Sequence, residues 1–264
     1  VPDGSIGGDG TYTEQIETQL IKAHGAAHHF VLSLVGHGGA LVTVYLWDYT
    51  YALAPDDAGL QEMALEYSQY NPPMYASTQF PLGISSGAGW YIAKGTLQDW
   101  AYHETGCWDL TVEVSNEKIP PEETLDQLWL DNRESLLHFI RAARFGVQGR
   151  VTAAGTGTPL AATVTVTGID KSVSTDPAWG DYVKYLPTGI YQVVYSAPGY
   201  VTHIERNVAA VWGTGTGRDV QLEPAPHGEV AGTVCDRLQR GLAATVAVRT
   251  YPLEALVATV PTDG

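Results

Sequence analysis

The sequence changes character near residue 146, and that change limits the folds open to it. Before it, helical and strand patterns alternate. ETQLIKAHGAAHH and DAGLQEMALEYSQYN carry helical spacing, FVLSLVG and DLTVEVS read as strands, and EETLDQLWLDNRESLLHFIRAAR is a long helix. Its apolar positions Leu125, Leu128, Trp129, Leu136, Phe139 and Ile140, with Asn132 among them, predict one packed stripe. Acids at its start (Glu122, Glu123) and arginines near its end (Arg141, Arg144) complement the helix dipole. From Gly146 onward the chain becomes short alternating runs broken by Gly, Pro and Asp, which is the pattern of a β-sandwich. The expected fold is therefore an α/β domain with a mixed sheet flanked by helices, followed by an all-β module.

An internal repeat refines that boundary. GRVTAAGTGTPLAATVTV is echoed by GTVCDRLQRGLAATVAV, which implies two small β-modules in series. The first has room for about seven strands. The second ends about half a module later. The expected domains are residues 1–145, 146–225 and a partial repeat at 226–264.

Charge narrows the partners. The chain has 264 residues, 29 Asp and Glu against 14 Lys and Arg, and a net charge of −15, which argues against nucleic acid and anionic membrane surfaces and for a cationic partner. No apolar run approaches the roughly 18 residues that span a bilayer, and the opening VPDG has no signal-peptide character. Many glycines and tyrosines with few lysines lean toward an exported, extracellular or periplasmic protein. Cys107 and Cys235 lack metal-ligand spacing, which excludes a CxxC-type site; a disulfide between them stays open. His24, His28 and His29 read as a polar helix end rather than a metal site, and the acids of APDD as a helix N-cap.

The segment GTLQDWAYHETGCWDLTVEVS sets Tyr102 ahead of Glu113, which lies inside an alternating strand. With HGGALV, APDD, GAGWY, QDWAY, TVEVS, KIPP, GVQGRV, GDYVKYLPTGIYQV and APGY in order, the chain over about residues 28 to 223 resembles the regulatory branch of the zinc metallocarboxypeptidases, the carboxypeptidases N, E, D and M. In that branch a transthyretin-like β-sandwich follows the catalytic domain. The resemblance implies Glu113 as the general base, Tyr102 as a mobile tyrosine closing over substrate, and His37 as a retained zinc ligand. It further implies Asp48 as the partner of a C-terminal Lys or Arg and Gln98 as a lining of the same pocket.

Two departures accompany it. The chain contains no HxxE, from which the family takes its other two zinc ligands, and no arginine before Arg133 to grip a peptide carboxylate. The resemblance thus leads to a truncated or degenerate scaffold with no cofactor of its own: a non-catalytic, exported structural, assembly or binding protein. The competing reading is a zinc carboxypeptidase releasing C-terminal Lys or Arg, its missing ligands outside this chain. Half a β-module leaves an unpaired edge, which points to self-association, head to tail, as oligomers or a filament. Sedimentation should accordingly find oligomers of the intact chain and monomers once residues 228–264 are removed; a monodisperse intact monomer would contradict this.

Overall fold

The structure, a computed structural model, describes residues 14–226, 233–249 and 256–261. Its contacts divide the chain into two units, Val1–Pro224 and Ala225–Gly264. The motif VPDG lies outside the described residues, as does most of DGTYTEQI, whose weak alternation after glycines makes it the chain's own alternative to a neighbouring copy for completing the partial β-module.

The first unit opens with α1 (Ile16–Ala27), β1 (Leu32–His37), β2 (Ala40–Tyr45) and α2 (Asp57–Ser68). A single turn α3 (Pro72–Tyr75), β3 (Ile84–Ser86), the short helices α4 (Gly87–Trp90) and α5 (Leu97–Trp100), β4 (Trp108–Ser115) and α6 (Leu125–Ala142) follow. The sheet order is β1-β4-β2-β3, with β4 parallel to β1 and antiparallel to β2, and β2 parallel to β3. This is the expected mixed sheet, with Glu113 on an interior strand. Because side chains alternate along a strand, Leu110 and Val112 point into the core with Leu60, Met63, Tyr67 and Phe139, while Asp109, Thr111 and Glu113 share the opposite face.

The long helix packs through part of the predicted stripe, shifted toward Ser135 and Ala142. Asn132, Ser135, Phe139 and Ala142 are buried and Leu136 is partly buried, whereas Leu125, Trp129 and Ile140 are exposed. Asn132 belongs inside because its carbonyl accepts from Tyr67 Oη (2.9 Å) and Asn71 Nδ2 (3.0 Å) while its amide donates to Leu128 O (2.8 Å). The spacing placed Asn132 in the stripe, and these hydrogen bonds are what let a polar side chain stay there. No helix among the described residues is long and apolar enough to cross a membrane.

Eight strands follow: β5 (Gly146–Ala153), β6 (Thr163–Val166), β7 (Ile169–Ser174), β8 (Asp181–Lys184), β9 (Gly189–Ser196), β10 (His203–Ala210), β11 (Gly215–Gly217) and β12 (Val220–Leu222). One sheet is β10-β9-β6-β7; in the other, β5 pairs with β8, β11 and β12. Val147, Val151, Val164, Leu186, Val193, Tyr195 and Leu222 are among the residues filling one core between them. This is sandwich packing, with alternate residues facing inward.

The sandwich shares side chains with the first core. Tyr185 packs on Trp108 with ring centroids 4.8 Å apart, and Phe145 on Trp212 at 5.6 Å. At the junction Gly146 has φ +78°, and a Cβ there would lie 2.3 Å from Lys184 O, so the close strand crossing requires glycine. Between the layers Lys184 Nζ donates to both carboxylate oxygens of Asp56, at 2.7 and 2.9 Å, with both side chains almost completely buried. Asp56 stands at the N-cap position of α2 but makes no capping hydrogen bond, contrary to the expectation from APDD. Its carboxylate is occupied by Lys184 and by Tyr102 Oη (2.9 Å), and a buried ammonium without that partner would be far more costly than an uncapped amide.

In the second unit β13 (Thr245–Arg249) and β14 (Leu256–Pro261) form an antiparallel pair. They cover most of LAATVAV and EALVATV, whereas VAGTV falls largely outside the described residues. Cys107, buried, and Cys235, exposed, are both free.

Removing one partner of a buried ion pair strands the other. Lys184→Met should therefore cost about 3–5 kcal/mol in urea unfolding, and pairing it with Asp56→Asn should recover part of that loss. A single variant unfolding at the wild-type midpoint would contradict the assignment.

Candidate functional site

The parallel register of β1 and β4 sets His37 directly beside Glu113. His37 Nδ1 lies 2.8 Å from Glu113 Oε1; His37 is half-exposed, Glu113 is buried, and Glu113 Oε2 has no hydrogen-bond partner. Beneath them is a cavity of about 210 Å³ whose lining includes His37, Asp48, Gln98, Thr111 and Glu113. Val35, Val44, Trp90 and Leu97 give it apolar walls. Four of the five site residues anticipated from the sequence thus meet in one place.

Tyr102 is not among them. It is 1% exposed, held by Asp56 and packed edge-on against Trp47 with ring centroids 5.2 Å apart, while Lys171 Nζ sits 4.9 Å from its ring. It lies in a π-type turn over Ala101–Thr105, where its ring fills core space. The tyrosine that lines the cavity is Tyr91, 57% exposed and following α4. Tyr91 belongs to the motif GAGWY, whereas the resemblance implied the tyrosine of QDWAY, Tyr102.

Asp48 is held from several sides. Gln98 Nε2 donates to its Oδ1 at 3.2 Å, and Gln98 Oε1 accepts from Thr111 N at 2.8 Å, so one amide joins the pocket floor to β4. The loop backbone is fixed by Ala88 N donating to Trp47 O (2.8 Å) and Ala93 N donating to Asp48 O (3.0 Å). Gly87 passes so close that a Cβ there would sit 1.7 Å from Asp48 Oδ1. Behind Asp48, the fully buried Asp99 accepts from the backbone N–H groups of Asp48 (3.0 Å) and Tyr49 (3.2 Å).

Burial dominates the electrostatics. It pushes the Asp48 carboxyl up to about 6, against a hydrogen bond with Thr96. Burial likewise raises Asp99 to about 7, opposed by its backbone donors and reinforced by the Asp48 charge. Asp109 rises to about 6 for the same first reason, opposed by Ser33, which donates to its carboxylate, and reinforced by Asp48. Each folded value lies above the ordinary 3.8, so the folded chain keeps protons that the unfolded chain releases. These groups therefore cost stability as pH rises from about 4 to 7. A cation in the pocket would offset that cost.

The close approach of Gly87 yields a direct test. Gly87→Ala must displace the Asp48 carboxylate, and in a crystal structure or by carboxyl NMR it should show Asp48 moved from Gln98. An unchanged Asp48 would contradict the packing described.

The zinc carboxypeptidase family model, Peptidase_M14, matches residues 6–135. The chain is 39% identical over 206 residues to carboxypeptidase D of Mus musculus, covering 72% of this chain and 15% of that protein. It is 37% identical over 194 residues to carboxypeptidase SOL1 of Arabidopsis thaliana, covering 70% and 40%. With the catalytic chain of Homo sapiens carboxypeptidase N it shares 36% identity over 200 residues, covering 70% and 43%. The chain therefore spans less than half the length of each of these relatives. Residues 6–135 carry a domain of the zinc carboxypeptidase family.

Proposed function

We propose that this chain supplies the side-chain-recognition and general-base part of a carboxypeptidase site for peptides ending in Lys or Arg, and that its own residues bind such an end without hydrolysing it. The observation that carries this reading is the convergence of His37, Asp48, Gln98 and Glu113 on one cavity. Asp48 would pair with the cationic end, Gln98 would hold Asp48 in place, and the apolar walls would cover the aliphatic stem. Glu113, with one free oxygen, is the group placed to take a proton, and Tyr91 is the exposed tyrosine at the rim that could close over the bound residue. The transthyretin-like character of the sandwich and an exported location belong to the same reading.

Zinc, which the family implies, does not fit the described residues. His37 commits Nδ1 to Glu113, and no three His, Cys, Asp or Glu side chains come together among the described residues. No hydrolytic step is therefore assigned to this chain. With no arginine before Arg133, a peptide carboxylate entering the site meets Glu113 without compensation.

Recognition should then follow the side chain rather than the carboxylate. In calorimetry, an N-acetylated tripeptide ending in arginine should bind, its C-terminal amide at least as well, and the leucine counterpart poorly. Asp48→Asn should weaken the arginine peptide about tenfold to a hundredfold, as expected for one charge-assisted contact. Equal binding of the leucine peptide, or an unaltered Asp48→Asn, would sink the proposal.

A further inference from the structure

We propose that two copies of this chain join through the outer edge of β1, antiparallel and about a two-fold axis, so that their sheets become one continuous sheet.

β1 is the outer strand of the order β1-β4-β2-β3. Its register against β4 runs unbroken from Leu32 beside Trp108 to His37 beside Glu113, and Trp108 N donates to Val31 O (3.1 Å). In a parallel pair alternate residues bond to the neighbour. Ser33 and Val35 therefore turn their backbone groups to β4, and Leu32, Leu34 and Gly36 turn theirs outward. Among the described residues nothing receives these outward N–H and C=O groups. The strand LSLVGH carries no Asp, Glu, Lys, Arg or Pro. It is apolar on both faces, with Leu32 and Leu34 against the core and Val35 against the cavity, as interior strands are, yet none of it is fully buried.

The other outer strands of Val1–Pro224 are protected against such pairing. β3 has three residues and runs straight into α4; β7 carries Asp170 and Lys171; β10 carries Glu205 and Arg206 and is broken by a bulge before Val208. β8, β11 and β12 have four residues or fewer. Among the described edges of this unit, β1 alone has none of these devices.

The edge fits a second copy of itself. The outward residues are spaced evenly about Leu34, so an antiparallel copy sets Leu34 opposite Leu34 and Leu32 opposite Gly36, and every outward N–H meets a C=O. Gly36 leaves room for the facing leucine, since a Cβ added there meets nothing within 4 Å. Two chains of net charge −15 repel at a distance, but along this edge no acid stands opposite an acid. The segment leading into β1 is also apolar and exposed, at Phe30 and at Ile16, Leu20 and Ile21 of α1, a helix that buries none of its residues. Opposite residues of an antiparallel pair share a face, so the two cavities come to lie on the same side of the joined sheet. The pairing closes at two copies and does not involve residues 228–264, unlike the head-to-tail association expected from the partial β-module.

Hydrogen exchange on the full chain, followed over a series of concentrations beside sedimentation, tests this. The amides of Leu32, Leu34 and Gly36 should slow as concentration rises, in step with the formation of dimers, and added salt should strengthen both effects by screening the acidic chains. Gly36→Pro removes an outward N–H that β4 does not use. It should weaken the dimer about tenfold or more while unfolding close to the wild-type midpoint. Amides that stay fast in a dimer place the contact elsewhere and overturn the proposal. Amides that are slow at every concentration mean that the chain's own residues cover the edge, which overturns it too. A chain that remains monomeric, or a dimer indifferent to Gly36→Pro, does the same. The exchange measurements are made on the wild-type chain, so they decide the matter even where Gly36→Pro fails to fold.

Discussion

The buried contact of Lys184 with Asp56 and Tyr102 is the constraint on which the arrangement of the first unit depends. An ammonium and a carboxylate removed from water lose hydration worth several kcal/mol each, and their attraction repays this only when geometry and extra hydrogen bonds are good. Here both oxygens of Asp56 receive Lys184, and one also receives Tyr102. The pair fixes one relation between β8 of the sandwich and the start of α2. Tyr102, pinned by Asp56, supports Trp47, and Trp47 immediately precedes Asp48. A contact outside the cavity lining thus bears on the loop that carries its charge.

The cavity concentrates a cost that the rest of the unit carries. Asp48, Asp99 and Asp109 are nearly inaccessible, all with raised carboxyl pKa values, and only hydrogen bonds offset their desolvation. Such an arrangement disfavours the ionised empty pocket near neutral pH and favours a filled one, because a cation repairs what burial took away. The two readings of the family scaffold therefore separate cleanly in physical terms. Recognition of a basic side chain draws on groups that this chain holds together, whereas a catalytic zinc draws on ligands that its described residues do not.

Much of this was legible without coordinates. The period-two alternation of DLTVEVS placed Glu113 on a strand with Leu110 and Val112 on the reverse face, and short-range periodicity is sufficient for that. The ordered motifs brought His37, Asp48, Gln98 and Glu113 into one site. Periodicity was less informative for the long helix, where Asn132, Leu136 and Phe139 face inward as expected while Leu125, Trp129 and Ile140 stay exposed. Tyr102, whose role the resemblance implied, and Asp56, read as a helix cap, are instead joined to each other in the interior. A tyrosine or an aspartate reads the same in sequence whether it faces solvent, caps a helix or is buried against a distant lysine.

The sequence by itself determined the two-part grammar, the mixed sheet, a resemblance to the zinc carboxypeptidases over about residues 28 to 223 and most of the residues at the cavity, because these follow from local pattern and from motif order. Tertiary structure alone decided which tyrosine reaches the cavity, where the Asp56 carboxylate is spent, and that Asp99 stands behind Asp48. Each of those outcomes depends on which groups meet after burial. Among buried polar groups, the partner that best offsets lost hydration comes from far along the chain, as Lys184 does for Asp56, and no local pattern encodes it.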